Sequence, residues 1–324
     1  MCTAIAYNSE SFYFGRTLDN DFSYNEEITV TPRNFPLNFR KIGEINRHFA
    51  IIGMAYVCDN YPLYYDAMNE HGLCMAGLNF VGNAKYKKIN ADKDNITHFE
   101  LIPWVLCQCK SINEAQKLLD RINITDEAFS EELPPAELHW IIADKERALT
   151  VEAVKEGIKV YENSVGVLTN NPTFKEQLFS LNNYMHLSAK EPKNKFSDKL
   201  YLVKYSRGMG AIGLPGDLSS QSRFIRAAFM KTNSVSCKTN TNSISQFFHI
   251  LNTVEQPLGC CELENGEYEK TIYTSCGDAQ RGIYYYTTYN NRQITGIDMH
   301  KENLNGKELI RFAPVNREQI NMQN

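Results

Sequence analysis

The sequence predicts an α+β architecture in which two β-sheets are covered by helices. The first observation is the order of the elements, which runs strands, helices, strands, helices, strands along 324 residues. The second is the composition, because 43% hydrophobic and 22% charged residues are typical of a folded globular chain. A chain of this length can bury a large core, in one big domain or two ordinary ones.

The chain begins with a predicted β-hairpin. Residues 2–7 (CTAIAY) and 12–14 (FYF) are rich in strand-forming residues, and residues 8–11 (NSES) between them supply turn chemistry. Residues 1–15 contain no lysine or arginine, so they lack the basic start of a signal peptide. We therefore expect the N-terminus to enter the core at once, and we expect a cytoplasmic protein.

Further strands and helices follow in groups. Strand-like composition marks six segments, at residues 50–56, 72–80, 137–144, 148–153, 282–289 and 293–297. The third and fourth segments should pair, and the last two should form a hairpin. Apolar residues at helical spacing mark four helices, at residues 102–109, 115–122, 223–231 and 243–254. Ser111 with Glu114, and Ser243 with Gln246, form capping pairs for the second and fourth helices.

Charge and cysteine content argue against several classes of protein. With 34 basic and 38 acidic residues the net charge is −4, which does not favour a nucleic-acid partner. No apolar stretch approaches the roughly 20 residues of a membrane helix, so we expect no membrane partner. Nine cysteines are an odd number in a long chain, and their spacing lacks the C-x-x-C pairs of zinc sites. We expect reduced, mostly buried thiols at Cys2, Cys58, Cys74, Cys107, Cys109, Cys237, Cys260, Cys261 and Cys276.

One glycine-rich motif does not fit a nucleotide site. Residues 208–213 (GMGAIG) match G-x-G-x-x-G, but in dinucleotide-binding proteins this motif opens a helix. Here the turn-like residues 214–217 (LPGD) follow, and no acidic residue lies between Asp217 and Glu255 to bind a ribose. Other nucleotide, zinc-protease and serine-hydrolase motifs are absent, and the seven histidines show no paired spacing. The sequence therefore predicts neither a nucleotide cofactor nor a metal site.

The residue after Met1 is a cysteine. A methionine before a small side chain is a usual substrate for an aminopeptidase, and its removal would leave Cys2 with a free α-amine. An α-amine is partly neutral near physiological pH, so one residue would carry both a nucleophile and a base, as in N-terminal nucleophile hydrolases. On position alone, the simpler interpretation of Cys2 as a small residue at the start of a strand is favoured.

Five short motifs fit a single catalytic site if Cys2 is taken as its nucleophile. They are residues 1–3 (MCT), 15–19 (GRTLD), 76–80 (AGLNF), 167–172 (VLTNNP) and 222–224 (SRF). In order and wording they resemble the choloylglycine hydrolase family, which comprises bile salt hydrolases and penicillin V acylases, over essentially the whole chain. The resemblance implies the four-layer αββα sandwich of N-terminal nucleophile hydrolases, as a single domain over residues 1–324, with Met1 removed and no cofactor or metal.

The resemblance also implies catalytic roles near the N-terminus. Cys2 would attack an amide carbonyl through its sulfur, and its own α-amine would act as base and later as acid. Asp19 would hold that amine by a charge-assisted hydrogen bond. Arg16 would supply positive charge that favours the thiolate. From the residues alone, Arg16 and Asp19 could equally be a surface ion pair.

Three more residues complete the implied catalytic site. Asn79, through its backbone N–H, and Asn170, through its side-chain amide, would form an oxyanion hole, in which one donor is worth about 3 kcal/mol. Arg223 would complete the charge network around the nucleophile. Taken singly, Asn79 could end a strand, Asn170 lies in turn-forming sequence and Arg223 could cap its helix.

The residue at position 79 also bears on the substrate. Penicillin V acylases tend to carry tyrosine there, whereas Asn79 is similar to bile salt hydrolases. The implied substrate is a bile acid joined by an amide to glycine or taurine, bound in an open apolar cleft. A penicillin V acylase or a broader N-acyl amidase is the alternative. By register, the candidate wall residues are Leu18, Tyr24, Cys58, Tyr65, Phe129 and Leu133, although family members often have phenylalanine and alanine at the positions of Cys58 and Tyr65.

Residues 184–213 form a polar, lysine-containing segment that ends in glycine. In relatives the matching region reaches a neighbouring subunit, so the resemblance implies a homo-oligomer, a homotetramer. From the residues alone this segment is a long loop.

Overall fold

A computed structural model describes residues 1–236 and 238–324, and Cys237 lies outside the described residues. The strands, numbered in chain order, are β1 (Cys2–Asn8), β2 (Phe12–Asn20), β3 (Glu27–Thr31), β4 (Leu37–Phe39), β5 (Gly43–Ile45), β6 (Ile51–Cys58), β7 (Tyr61–Asn69), β8 (Cys74–Asn79), β9 (Asp94–Thr97), β10 (Ile122–Thr125), β11 (Leu138–Ala143), β12 (Ala148–Val154), β13 (Gly157–Glu162), β14 (Val167–Leu168), β15 (Lys270–Asp278), β16 (Ile283–Thr288), β17 (Asn291–Asp298) and β18 (Ile310–Phe312).

The α-helices lie in two regions of the chain. They are α1 (Leu101–Leu106), α2 (Ile112–Leu119), α3 (Phe174–Ser180), α4 (Ser220–Asn233) and α5 (Asn240–Asn252). Short 3-10 helices cover Leu181–Tyr184, Met209–Ala211 and Met299–Lys301.

Two large antiparallel sheets form the centre of the protein. The six-stranded sheet has the order β14-β1-β2-β15-β16-β17, and the eight-stranded sheet has the order β13-β12-β11-β8-β7-β6-β3-β18. Side chains alternate between the faces of each strand. In β8, Ala76 and Leu78 therefore join the core that contains residues of both sheets, whereas Met75 packs under α1 and α2.

The helices cover the outer faces of the two sheets. Helix α1 packs against β7 and β8, while α4 and α5 pack against β1, β2 and β15 of the other sheet. Trp104 of α1 belongs to the core on the eight-stranded side, and Phe224 of α4 and Phe247 of α5 belong to the core on the six-stranded side. The layer order is therefore helix, sheet, sheet, helix, which confirms the αββα sandwich that the resemblance implied.

Most of the predicted elements are present with shifted ends. The first hairpin, the pair at residues 137–144 and 148–153, and the hairpin at residues 282–297 all form as predicted. The predicted cap of the last helix is wrong. Thr239 caps α5, because its side chain accepts from the Asn242 N–H, and Ser243 lies inside the helix, where its hydroxyl donates to the Thr239 carbonyl.

The main omission from the sequence analysis is β15, the strand that pairs with β2 in the middle of the six-stranded sheet. Its sequence KTIYTSCGD is rich in hydroxyl residues and does not alternate cleanly between apolar and polar side chains. All of its residues after Lys270 are nevertheless buried, because partners inside the fold satisfy hydroxyls such as those of Tyr273 and Ser275.

Several smaller predictions can be compared with the described residues. The eight cysteines among them are free, and five of these are buried. The glycine-rich motif at residues 208–213 contains only a three-residue 3-10 helix, as its turn-like continuation predicts. Among the described residues, no helix has the length and apolar character needed to cross a membrane. The same residues contain no group of three or more histidine, cysteine, aspartate and glutamate side chains that could hold a metal ion.

Candidate active site

Cys2 is the first residue of β1, which lies between β14 and β2 in the six-stranded sheet. It pairs with Leu18 across the antiparallel ladder, so sheet hydrogen bonding fixes its backbone. The residue is only 2% exposed, and it lines a cavity that opens between the two sheets and the loops beside them. The thiol therefore lies at the start of a strand that is paired on both sides, and it forms part of a cavity wall.

The Arg16 guanidinium is the charged group in contact with this thiol. One terminal nitrogen donates to Cys2 Sγ, and the other donates to the carbonyl oxygens of Gly77 at 2.5 Å and Tyr65 at 3.3 Å. Burial alone would lower the pKa of the guanidinium, but the negative groups around it, led by Cys2, outweigh burial and raise that pKa. Arg16 thus stays cationic beside the sulfur, as a thiolate-stabilising group must.

A buried carboxylate supports Arg16 from behind. Asp66 accepts hydrogen bonds from the hydroxyls of Tyr273 at 2.7 Å, Tyr284 at 2.7 Å and Ser275 at 2.9 Å. The Ser275 hydroxyl in turn accepts from the Arg16 main-chain N–H at 3.0 Å. Burial raises the pKa of the Asp66 carboxyl, while Arg16 and the three hydroxyls oppose that shift. No local sequence pattern indicates this network, because its members, Arg16 included, lie on the four strands β2, β7, β15 and β16.

Asn170 follows β14 and connects several parts of the site. Its Oδ1 accepts from the main-chain nitrogen of Cys2 at 2.8 Å and from Arg223 at 2.8 Å, while its Nδ2 donates to the Asn79 carbonyl at 2.8 Å. The Arg223 guanidinium also donates to the Cys2 carbonyl at 2.5 Å and to Thr3 Oγ1 at 2.7 Å. Burial lowers the pKa of Arg223, and the charge of nearby carboxylates opposes that effect. These contacts bring four of the six predicted catalytic residues together.

Asp19 lies beside this group and binds the N-terminal residue through its main chain. The Met1 amine donates to the Asp19 carbonyl at 2.6 Å and to Glu269 Oε1 at 3.0 Å. The Asp19 carboxylate accepts from the Thr271 hydroxyl at 2.7 Å and lies 3.9 Å from Arg223. In the chain that carries Met1, the nitrogen of residue 2 is therefore held by Asn170, and the Asp19 carboxylate lies in the surrounding charge network.

The Asn79 backbone N–H has a defined direction. The next amide, that of Phe80, donates to Glu137 at 2.7 Å, toward β11. Successive amides of a strand point to opposite edges, so the Asn79 N–H points away from β11, to the side where the Gly77 carbonyl meets Arg16. Pairing between β8 and β7 covers residues 74–76 of β8, so beyond Ala76 this edge faces the site.

The cavity beside Cys2 has a volume of about 390 Å³. Five of the six predicted wall residues line it, namely Leu18, Tyr24, Tyr65, Phe129 and Leu133. Cys58 ends β6 opposite Tyr61 and lies outside the lining that the described residues form. Arg16, Asp19 and Asn79 also line the cavity, so the predicted catalytic and wall residues share one space.

His98 and Trp140 also line the cavity, although neither was among the residues predicted from the sequence. The main-chain N–H of Ala136 donates to His98 Nε2 at 3.1 Å, and burial lowers the pKa of this histidine to about 4. His98 is therefore neutral at pH 7, with its proton on Nδ1. Neither His98 Nδ1 nor Trp140 Nε1 has a hydrogen-bond partner among the described residues. No short-range sequence pattern indicates either residue, because only the tertiary fold brings them to the cavity wall.

The candidate assembly loop at residues 184–213 carries large apolar side chains on its surface. Exposed fractions reach 82% for Met185, 82% for Phe196, 93% for Tyr201 and 84% for Tyr205. Exposed apolar groups in such density mark interaction surfaces in soluble proteins.

Comparisons with known proteins agree with this geometry. Residues 2–312 match the linear amide C–N hydrolases, choloylglycine hydrolase family. A bile salt hydrolase/transferase of Lactiplantibacillus plantarum is 57% identical over 312 residues, which are 96% of each chain. A bile salt hydrolase/transferase of Clostridium perfringens is 39% identical over 315 residues, which are 95% of each chain.

Solved structures give the same result. The crystal structure of the C2A mutant of the conjugated bile acid hydrolase from Clostridium perfringens superimposes with a TM-score of 0.92 at 38% identity, covering 100% of both chains. A penicillin V acylase from Agrobacterium tumefaciens superimposes with a TM-score of 0.76 at 19% identity, covering 96% of this chain and 91% of that one, and so shares the fold. The chain belongs to the choloylglycine hydrolase family of linear amide C–N hydrolases.

Proposed function

We propose that this protein is a bile salt hydrolase, which cleaves the amide bond between a bile acid and glycine or taurine. The observation that carries the proposal is the position of Cys2, whose sulfur accepts a hydrogen bond from Arg16 at one end of a largely apolar cavity. Relatives described as bile salt hydrolases align with almost the whole chain and support the same substrate class.

The reaction would begin after removal of Met1, which frees the α-amine of Cys2. That amine takes the thiol proton as the sulfur attacks the amide carbonyl, and a tetrahedral intermediate forms. The amine then gives the proton to the leaving nitrogen, so that the carbon–nitrogen bond breaks and glycine or taurine departs. A water molecule attacks the remaining thioester and gives one proton to the amine. The carbon–sulfur bond then breaks, the amine returns this proton to the departing sulfur, and the free bile acid and the Cys2 thiol are regenerated.

The surrounding residues would each stabilise one part of this sequence. Arg16 holds positive charge at the sulfur, which favours the thiolate. The Asn79 N–H and Asn170 Nδ2 would donate to the oxyanion of the tetrahedral intermediate. Arg223 fixes the Cys2 carbonyl and the Asn170 oxygen, so the nucleophile and the oxyanion hole share one anchor. Asp19 balances the charge of the two buried arginines.

The cavity would bind the acyl part of the substrate. A steroid body is large and mostly apolar, and Leu18, Tyr24, Tyr65 and Leu133 offer apolar surface for it. The reaction steps use only Cys2, the side chains and main-chain groups around it, and water. The proposal therefore includes no cofactor or metal.

Parallel assays would test the proposal. Purified enzyme should release glycine from glycocholate and taurine from taurocholate faster than it releases phenoxyacetate from penicillin V. Cys2→Ala should abolish release from all three while leaving the unfolding midpoint within a few degrees, because the change removes one sulfur. Much faster turnover of penicillin V would instead support the penicillin V acylase alternative, and full activity of Cys2→Ala would overturn the cysteine mechanism.

We further propose a cytoplasmic homotetramer without nucleic-acid or membrane partners, assembled through residues 184–213. The exposed Phe196, Tyr201 and Tyr205 side chains support this assembly, because burial against another subunit would remove them from water. Light scattering on wild-type protein should give four times the chain mass. A triple substitution of these residues to serine should give smaller species.

A further inference from the structure

We propose that His139 is a positioning residue that holds the two halves of the oxyanion hole in register, with Glu152 as its partner. This inference rests on the proposed function, because it assigns a task to a residue behind Asn79 and Asn170. His139 is fully buried in β11 and does not line the cavity that Cys2 opens into. It therefore acts through its neighbours rather than on the substrate.

The first contact is with the strand that carries Asn79. The His139 ring stacks on the Phe80 ring, with centroids 4.3 Å apart and planes 8° from parallel. Phe80 directly follows Asn79, and its own amide is fixed to Glu137 of β11 at 2.7 Å. The face of the imidazole thus supports the chain immediately after the backbone donor of the oxyanion hole.

The second contact is with the loop that carries Asn170. His139 Nε2 lies 2.8 Å from the Thr169 carbonyl, which can only accept, so this nitrogen carries a proton and donates. The Thr169 carbonyl belongs to the peptide group whose nitrogen is that of Asn170. One ring therefore contacts residue 80 with its face and residue 169 with its edge, and each contact is next to one of the two proposed donors.

Glu152 fixes the orientation of the ring. It lies directly opposite His139 in the β11–β12 ladder, and its Oε1 is 3.4 Å from His139 Nδ1. The same oxygen accepts from the main-chain N–H of Phe174 at 2.8 Å, at the start of α3. Both side chains are completely buried, where an ionisable residue without a partner would be strongly destabilising. Glu152 therefore holds the His139 ring in one orientation. Because the ring lies behind the oxyanion hole, this orientation helps to position the two donors.

The Asn170 loop also contacts the Asn79 strand directly, because Asn170 Nδ2 donates to the Asn79 carbonyl at 2.8 Å and Asn171 Nδ2 donates to the Val81 carbonyl at 2.7 Å. His139 adds a link behind both proposed donors that does not use the Asn170 amide itself. Further groups hold the loop without contacting β8. Ser220 accepts from the Asn170 main-chain N–H at 2.8 Å, and Gln177 donates to the Pro172 carbonyl at 2.9 Å. Without His139 the loop would keep these hydrogen bonds, but the chain segments behind the two donors would lose the ring that joins them. An error of about 1 Å in the placement of an oxyanion donor can cost on the order of 100-fold in rate.

Two substitutions separate the roles of the ring. His139→Phe keeps a flat ring for the Phe80 stack and removes the donor to Thr169, whereas His139→Gln can still donate to that carbonyl. We expect kcat for glycocholate to fall about 10- to 100-fold in His139→Phe, with KM within about twofold. In His139→Gln we expect part of this loss to be restored, because glutamine regains a donor to the Thr169 carbonyl but lacks the ring that stacks on Phe80. Asn69→Ala, which removes buried hydrogen bonds at the far end of β7, is a control for general destabilisation.

A transition-state analogue gives a second measurement. An aldehyde derived from the bile acid would form a thiohemiacetal with Cys2, so its affinity reports the oxyanion hole, whereas free cholate reports the cavity alone. His139→Phe should weaken the aldehyde about tenfold or more and leave cholate binding and the alkylation rate of Cys2 by iodoacetamide unchanged.

Each outcome decides for or against His139. An unchanged kcat in a folded His139→Phe variant would overturn the inference. Equal losses in His139→Phe and His139→Gln, or a loss of Cys2 alkylation in proportion to kcat, would overturn it as well. Failure of the wild-type enzyme to cleave any conjugated bile salt would refute the proposed function instead, and the aldehyde series would then be made on the acyl group that the enzyme does cleave.

Discussion

The main-chain nitrogen of Cys2 lies 2.8 Å from Oδ1 of Asn170, a residue 168 positions further along the chain. While Met1 is attached, this nitrogen is an amide and cannot act as a base. Once Met1 is removed, the same nitrogen becomes an amine that is already oriented by Asn170 and lies within the network of Arg223 and Asp19. The hydrogen bond to Asn170 thus orients the nitrogen of residue 2 before removal of Met1 turns this nitrogen into a base.

The first prediction concerns this N-terminal processing. A chain with a removable peptide placed before Cys2 should fold but show no turnover, because its Cys2 nitrogen remains an amide. Cleavage directly before Cys2 should restore wild-type turnover, and mass spectrometry should show that active wild-type protein lacks Met1. Full activity before cleavage would contradict the role of the α-amine.

The second prediction concerns Arg16. Arg16→Gln removes the positive charge that contacts the Cys2 sulfur, so the thiolate loses its stabilisation. Iodoacetamide should modify Cys2 at pH 6.5 about tenfold more slowly, as followed on the N-terminal peptide by mass spectrometry. Arg33→Gln, which removes an arginine bound to Glu70, is the control and should react like wild type. Equal rates in all three proteins would refute the role of Arg16.

The third prediction concerns the cavity wall. Leu133→Ala removes apolar surface that would contact the steroid, and one well-buried leucine side chain contributes about 1.5–3 kcal/mol. KM for glycocholate should rise about tenfold or more while kcat stays within about twofold. Leu258→Ala changes an exposed leucine and should leave both constants unaltered. An unchanged KM in Leu133→Ala would place the substrate elsewhere.

The fourth prediction concerns the pH dependence of stability. Burial lowers the pKa of His98 from 6.5 to about 4, so between these values the unfolded chain binds a proton that the folded chain does not. This residue therefore weakens the fold as the pH drops from 6.5 toward 4. Urea unfolding at pH 7 and pH 4.5 should show a smaller loss in His98→Gln than in wild type, by about 2 kcal/mol. Identical losses would contradict the assignment.

The sequence was sufficient to predict secondary-structure elements whose signals lie within a few neighbouring residues. The first hairpin has turn residues between two strand-like segments, and Ser111 caps α2 as its spacing with Glu114 predicts. The fold and the catalytic residues came from short motifs taken together, since Arg16 or Asn170 alone is ordinary. The Asp66 network and β15 were missed, because buried hydroxyl and carboxyl groups become compatible with a core only when partners from distant strands are in place.

The nucleophile and its arginine lie on strands, whereas several wall residues of the cavity lie on connections, and this difference has an evolutionary consequence. Cys2 and Arg16 belong to paired strands, whereas Tyr24, Phe129 and Leu133 lie in connections between strands. Connections tolerate insertions and exchanges far better than the middle of a sheet does. Selection could therefore reshape the choice of acyl group many times over without ever having to reinvent the bond-breaking step.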